Sequence, residues 1–402
     1  MRQDRNTRQD TTTNQDISKK HKDKRKAITG CALLAAGIVL TILARSLEGL
    51  AQWYSIHVYP VWVNMLGRLT GMFPFSVAEI LLYLFLLALL LSAGRLIVRL
   101  ASLGCGRRKK SPDGQEKKVQ AGKQLVYGWI SGLLLAAGIL YFLYVACCGI
   151  NYYRTSFSES SGIVAEEYTV GELAEVCQWL MAEVNDLSSQ VERDADGIMR
   201  TDDGVQERAV KAMQALGETY PELSGYYPEP KGLFNPWILS VQQLSGIYSP
   251  FTIEANYNSG MVDYNIPFTA CHELSHLKSF MQEQEANFIA FLASTSYEDP
   301  AFQYSGYLLG WIYCMNVLYD ADYESWQEVR EGLAAAVEPD LKENNASGSR
   351  CVVTQNSGKS VLSSFASQRF TAQSIHDISS NFIFLFLLDN KPRSDPPSGH
   401  SF

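Results

Sequence analysis

At 402 residues the chain is long enough for more than one folding unit. Its formal charge of −8 averages two unlike parts: a basic, apolar-rich stretch to residue 150, and a remainder with 14 Lys/Arg against 34 Asp/Glu. So acidic a remainder argues against nucleic acid and other polyanions as partners. Eight cysteines are scattered with no C-x-x-C pair, which excludes a zinc ribbon or a dithiol redox motif. A disulfide among Cys177, Cys271, Cys314 and Cys351 is compatible with the spacing, which does not choose one.

The tail 1–26 carries nine Lys/Arg. Three apolar runs follow, at about 27–44, 77–98 and 126–150. Each approaches the roughly 20 residues that a helix needs to cross a bilayer. The first has the basic flank of a signal peptide, but no small-residue cleavage site follows it and two more runs do, so a retained helix is expected. The 101–125 loop between the second and third runs carries seven Lys/Arg, including Arg107, Arg108, Lys109 and Lys110, while the 45–76 loop carries only Arg45 and Arg68. The positive-inside rule then places the tail and the basic loop in the cytoplasm. The 45–76 loop, with its interfacial Trp53, Tyr54, Tyr59 and Trp62, and everything beyond residue 150 fall outside.

Beyond the runs, Thr169 and Glu172 form a capping-box signature before a helix over 168–192. Its apolar stripe is Leu173, Val176, Cys177, Leu180, Val184 and Leu187. A second helix is expected over 204–217, a proline-marked loop over 221–236, and short strands within IYSPFTIEANYN and MVDYNIPF. Helices are predicted over about 268–278, 283–297, 301–320 and 323–337. From about 346 the chain is Ser-rich without clear period, then holds the isolated apolar stretch 381–388, too short to span, and a disordered-looking end.

The chemistry concentrates at His272-Glu273-Leu274-Ser275-His276. On a helix, residues four apart share a face, so both imidazoles can bind one Zn²⁺. Glu273, beside the first ligand, can act as general base towards a water whose pKa the zinc lowers, and later hand that proton to the leaving amine. A catalytic zinc needs a third protein ligand. The other histidines are His21, His57, His376 and His400, none near the motif in sequence, so a carboxylate is favoured. Glu283-Gln284-Glu285-Ala286-Asn287 stands just downstream. Glu283 and Asn287 share a helix face, so one can ligate while the other hydrogen-bonds a ligating histidine. Glu285 lies about 200° round the helix from Glu283, so it is an alternative ligand and not an additional one. Other divalent metals also suit an N/N/O set. Tyr304 and Tyr307 are candidate stabilisers of a tetrahedral oxyanion. Residues 253–258 or 261–266 are candidates for an edge strand that pairs with a peptide substrate.

The E-x-x-A-N pattern resembles the second motif of the gluzincins, zinc peptidases that share an active-site helix, an edge strand aligning the substrate and a second helix carrying the Glu. The resemblance implies His272, His276 and Glu283 as ligands, Glu273 as base and acid, and Asn287 as support for a ligand. Only six residues separate His276 from Glu283, a shorter gap than in most gluzincins, so a tight turn around Ser279–Gln282 is required. More widely, GIYSPFTIEANYN, NIPFTACHELSHLKSFMQEQEANFIAFLA and FQYSGYLLG resemble a bacterial family catalogued as domain of unknown function 3810, which also carries N-terminal membrane helices. This likeness runs to about residue 345, and the 346–402 tail departs from it, as an altered C-terminus would.

The expected organisation is a basic cytoplasmic tail (1–26), three transmembrane α-helices (within 27–150), an α+β, predominantly helical zincin-like extracytoplasmic domain (151–345) and an atypical tail (346–402). The expected function is zinc-dependent hydrolysis of peptide bonds in a peptide or protein substrate outside a membrane. The alternative is a catalytically inactive zincin-fold binding or sensor module tethered to the bilayer. An intramembrane protease is disfavoured, because the segment around the motif is polar.

Overall fold

A computed structural model describes residues 2–105, 112–163 and 168–355. The chain divides into two compact units, Met1–Tyr59 with Val77–Tyr153, and Pro60–Ser76 with Arg154–Phe402.

The first unit is built on three long helices: α1 (Arg2–Ser46), α2 (Val77–Cys105) and α3 (Pro112–Cys147). Within them Ser18–Ser46, Val77–Gly104 and Gln115–Cys147 are long and apolar enough to cross a membrane. The helices outrun the apolar runs because Lys, Arg, Gln and Glu are good helix formers, so change of polarity does not end a helix. Helices α1 and α3 cross closely at two glycines. A Cβ at Gly30 would stand 2.6 Å from the Leu134 carbonyl oxygen, and one at Gly138 would stand 2.5 Å from that of Gly30. Small residues at such a crossing let backbones approach within a lipid environment.

The second unit holds α4 (Val170–Leu187), α5 (Val205–Thr219), α6 (Asn265–Leu277), α7 (Glu283–Ser296), α8 (Pro300–Ala321), α9 (Tyr323–Glu331) and α10 (Glu338–Gln355). Its strands are β1 (Lys231–Gly232), β2 (Gly246–Ser249) and β3 (Glu254–Tyr257). The α4 cap forms as expected: Glu172 N–H donates to Thr169 Oγ1 at 3.3 Å, and Thr169 N–H donates to the Glu172 carboxylate at 2.7 Å. All six residues of the expected α4 stripe are buried, each contributing about 1.5–3 kcal/mol if fully buried. Across this interface the buried thiols of Cys177 (α4) and Cys314 (α8) meet as hydrogen-bond partners, and both are free. At the centre runs α6, whose only incompletely buried residue is His272. Helices α5, α7 and α8 and strands β2 and β3 pack around it.

The sheet differs from expectation. Its order is β1-β3-β2, with β1 parallel to β3 and β2 antiparallel. Residues 254–257 therefore form the middle strand, and the edges are β1 and Gly246–Ser249. Residues 261–266 do not pair as a strand; they form a turn and the first residues of α6. The reason is β1, two residues in the proline-marked 221–236 segment, too short to give an alternating pattern. Two helix ends also differ. The expected 323–337 helix breaks at Gly332 into α9 and a 3₁₀ turn, and α10 carries helix through to Gln355 despite its Ser-rich sequence. The apolar stretch 381–388 and the chain end lie outside the described residues.

Candidate metal site

Helix α6 begins with Pro267 in its first turn, where a missing N–H costs nothing. The next free donor, Phe268 N–H, goes to Ser305 Oγ at 3.1 Å, and the serine in turn donates to the Tyr264 carbonyl. This fixes α6 against α8. The motif then falls on successive turns, and His272 and His276 project together, with ring centroids 4.7 Å apart.

The tight connection to α7 takes a left-handed residue. Ser279 has φ +71°, and its N–H reaches the His276 carbonyl while Phe280 N–H reaches that of Ser275. Arg154 clamps the turn, donating to the Lys278 carbonyl at 3.0 Å and to Ser279 Oγ, with its guanidinium 3.9 Å above the Phe280 ring. The Phe280 carbonyl lies 2.8 Å from His276 Nδ1, so the turn itself orients that imidazole. On α7, Asn287 Oδ1 lies 2.8 Å from His272 Nδ1. With both Nδ1 atoms held by acceptors, both Nε2 atoms face the same point.

That point is the Glu283 carboxylate. His272 Nε2 is 3.1 Å from Glu283 Oε2, and His276 Nε2 is 3.7 Å from Oε1. All three ligand atoms lie within 4.8 Å of one another. Ligand atoms about 2.0–2.2 Å from one tetrahedral Zn²⁺ stand roughly 3.3–3.6 Å apart, so the spacing fits a cation. The Glu283 side chain is 60% exposed while the two histidines are nearly enclosed, so the cluster opens to solvent on one side.

Glu273 lies beside this cluster under β2. It is 3% exposed, and its Oε2 is buried without a hydrogen-bond partner among the described residues. Strand β2 runs along α6, with the Tyr248 ring 6.4 Å from that of His276 and Gly246 over Glu273. A Cβ at Gly246 would stand 2.3 Å from Glu273 Oε1 and 2.8 Å from its Cγ, so a side chain there would force the carboxylate to shift.

The charges act on one another. Burial pushes Glu273 up to about 8, with the Glu283 charge adding to it and His272 opposing. Burial and the His272 charge bring His276 down to about 4. Burial acts on His272 most strongly of any single influence and lowers it, but the hydrogen bond and charge of Glu283, with Glu273 and Asn287, together raise it. Burial favours a protonated Glu283, yet the His272 hydrogen bond and the two histidine charges hold it down at about 2.

Glu285 is turned away, as its angular position requires. Its carboxylate accepts Ser158 N–H at 2.9 Å and Ser158 Oγ–H at 2.7 Å, which removes it as an alternative ligand. Tyr304 is fully buried, donating to Asp340 Oδ2 at 2.6 Å and accepting from Arg193 at 3.2 Å. Tyr307 stacks edge-on against Trp179 and Phe291. Neither hydroxyl is brought to the cluster by these contacts. The tyrosine of α8 that feels the cluster is Tyr313: its ring packs 6.2 Å from Phe268, and burial and then the Glu283 charge raise its hydroxyl's pKa. Sequence reasoning missed Tyr313 and Gly246. A helix with Tyr304, Tyr307 and Tyr313 on different faces does not reveal which one meets α6, and a lone glycine before a strand carries no mark of its neighbour.

The second unit is thus a helical domain with a small sheet and a His/His/Glu cluster that fits a divalent cation. The chain belongs to the DUF3810 family of proteins of unknown function, whose model matches residues 54–370. No curated protein and no solved structure matches it.

Proposed function

We propose that this chain is a membrane-anchored, zinc-dependent peptidase of gluzincin-like design, acting on peptide bonds on the extracytoplasmic side. The observation that carries the reading is the convergence of His272, His276 and Glu283 beside a buried Glu273 whose Oε2 has no hydrogen-bond partner among the described residues. Zinc held by the three would act as Lewis acid, polarising a carbonyl and acidifying water.

The chain's own residues supply the rest. Asn287 and the Phe280 carbonyl hold the two imidazoles in the tautomer that leaves Nε2 free. Glu273 takes the proton of the water that adds to the scissile carbonyl, then returns it to the departing amine nitrogen. One water is consumed: its OH ends on the acyl carbon and its H on the amine. The β2 edge supports substrate alignment by strand addition. Orientation rests on the Lys/Arg asymmetry of the loops.

The test is Glu273→Gln in the full-length protein against a peptide library. Loss of hydrolysis by at least about 100-fold with metal content unchanged is expected. Equal hydrolysis by variant and wild type would remove the peptidase reading. A metal-loaded wild type that binds peptides without cleaving them would support the tethered binding module instead.

A further inference from the structure

Residues 60–76 fold into the second unit as a short helical stretch, running from the Tyr59–Trp62 turn through Val63–Gly67 to Arg68–Gly71. One face is fixed to the domain. Val63 and Thr70 are buried, Gly67 abuts Ile253, and Thr70 Oγ donates to the Thr252 carbonyl at 3.0 Å. The buried Lys231 Nζ donates to the Thr70 carbonyl at 2.7 Å and to Glu254 at 2.5 Å, tying the stretch to β1 and β3.

The other face is apolar and open. Val61, Met65, Leu69 and Met72 follow at helical spacing and are 52–77% exposed. Phe73 and Phe234 continue the surface, each with its ring against Phe75. In a folded unit otherwise so rich in acid, residues 60–76 contain no carboxylate, and their one charge is Arg68. A contiguous apolar face of this kind marks an interaction site.

We infer that this face binds the lipid interface, lying in the headgroup–acyl boundary as an amphipathic helix does. The occupant is set by the chain itself. Val77 begins an apolar helix long enough to cross a membrane, five residues after Met72. Five residues reach at most about 18 Å, so the exposed row is leashed to the bilayer surface. An apolar face held there buries itself about 5–10 Å into the boundary. This differs from the aromatic residues that composition alone marks as interfacial, because here the lipid-facing row belongs to the unit carrying the metal site. The inference rests on the three spans and not on catalysis.

The test uses the full-length protein in phosphatidylcholine nanodiscs with a diazirine placed on the acyl chain. After photolysis, mass spectrometry should find carbene adducts on Val61, Met65, Leu69 and Met72. Tyr319 and Tyr323, exposed elsewhere on the same unit, should carry none. Labelling of the row by a water-soluble diazirine at the level of those tyrosines, with no lipid adducts, would overturn the inference. Protection from both reagents in a dimeric protein would also overturn it, assigning the face to a second copy of the chain.

Discussion

At the scale of single residues, Gly246 is the sharpest probe of what Glu273 does. Alanine there would bring a methyl group to 2.3 Å from Oε1 of a carboxylate that is itself fully enclosed. Gly246→Ala should lower peptidase turnover by about 100-fold, the lower end of what a general base contributes, while metal stays bound. The check is kcat beside metal content; unchanged turnover would mean that the carboxylate's place under β2 is irrelevant. Asn287→Ala removes the acceptor that orients His272 and should weaken metal affinity about 10–100-fold in a competition titration. His272 also sets a pH dependence. Its pKa lies above the ordinary 6.5 through Glu283 despite burial, and a metal displaces its proton. Metal affinity should therefore fall as pH drops through neutrality, with proton release on binding measurable by calorimetry in buffers of different ionisation heat. Of these positions, His272, Glu273, His276, Glu283 and Asn287 are legible in the sequence, because i, i+4 spacing fixes a shared helix face before any tertiary contact is known. Gly246 is not legible, because its role exists only where β2 crosses α6.

The helices, as elements, carry most of their own instructions. Thr169 and Glu172 cap α4, Asp299 caps α8 through Ala301 and Phe302 N–H, and the apolar stripe of α4 lands in the core. The turn after α6 was legible as a constraint of length, but its means was not: a left-handed Ser279 held by Arg154, 125 residues away in sequence. The three-stranded sheet was misplaced by one strand because β1 contributes two residues from a proline-rich loop, below the length at which alternation is visible. The last described helix has a defined attachment. Asp340 is fully buried and receives Arg193, Tyr304 and the Met199 N–H. Asp340→Ala would leave the Arg193 charge unpaired and should destabilise the second unit by about 3–5 kcal/mol, read from a denaturant melt. A loss below about 1 kcal/mol would place that network outside the folding core.

Across the whole molecule, the sequence divides plainly into a basic, apolar part and an acidic part, and the three helices long and apolar enough to cross a membrane follow from run length alone. The less visible feature is that residues 60–76, between two spans, belong to the unit that carries the cluster. A piece cut at residue 151 would strip Thr70 from Lys231 and Thr252, leaving a buried ammonium with Glu254 as its one remaining partner of the two. Such a piece should melt lower than one with 60–76 restored, which circular dichroism can compare. The decisive measurement therefore uses the full-length protein in detergent: zinc content by mass spectrometry for wild type, His272→Ala and Glu283→Ala. About one zinc per wild-type chain is expected, lost in both variants. A folded wild type that takes up no zinc, or variants that retain it fully, would contradict the metal site on which the proposed function stands.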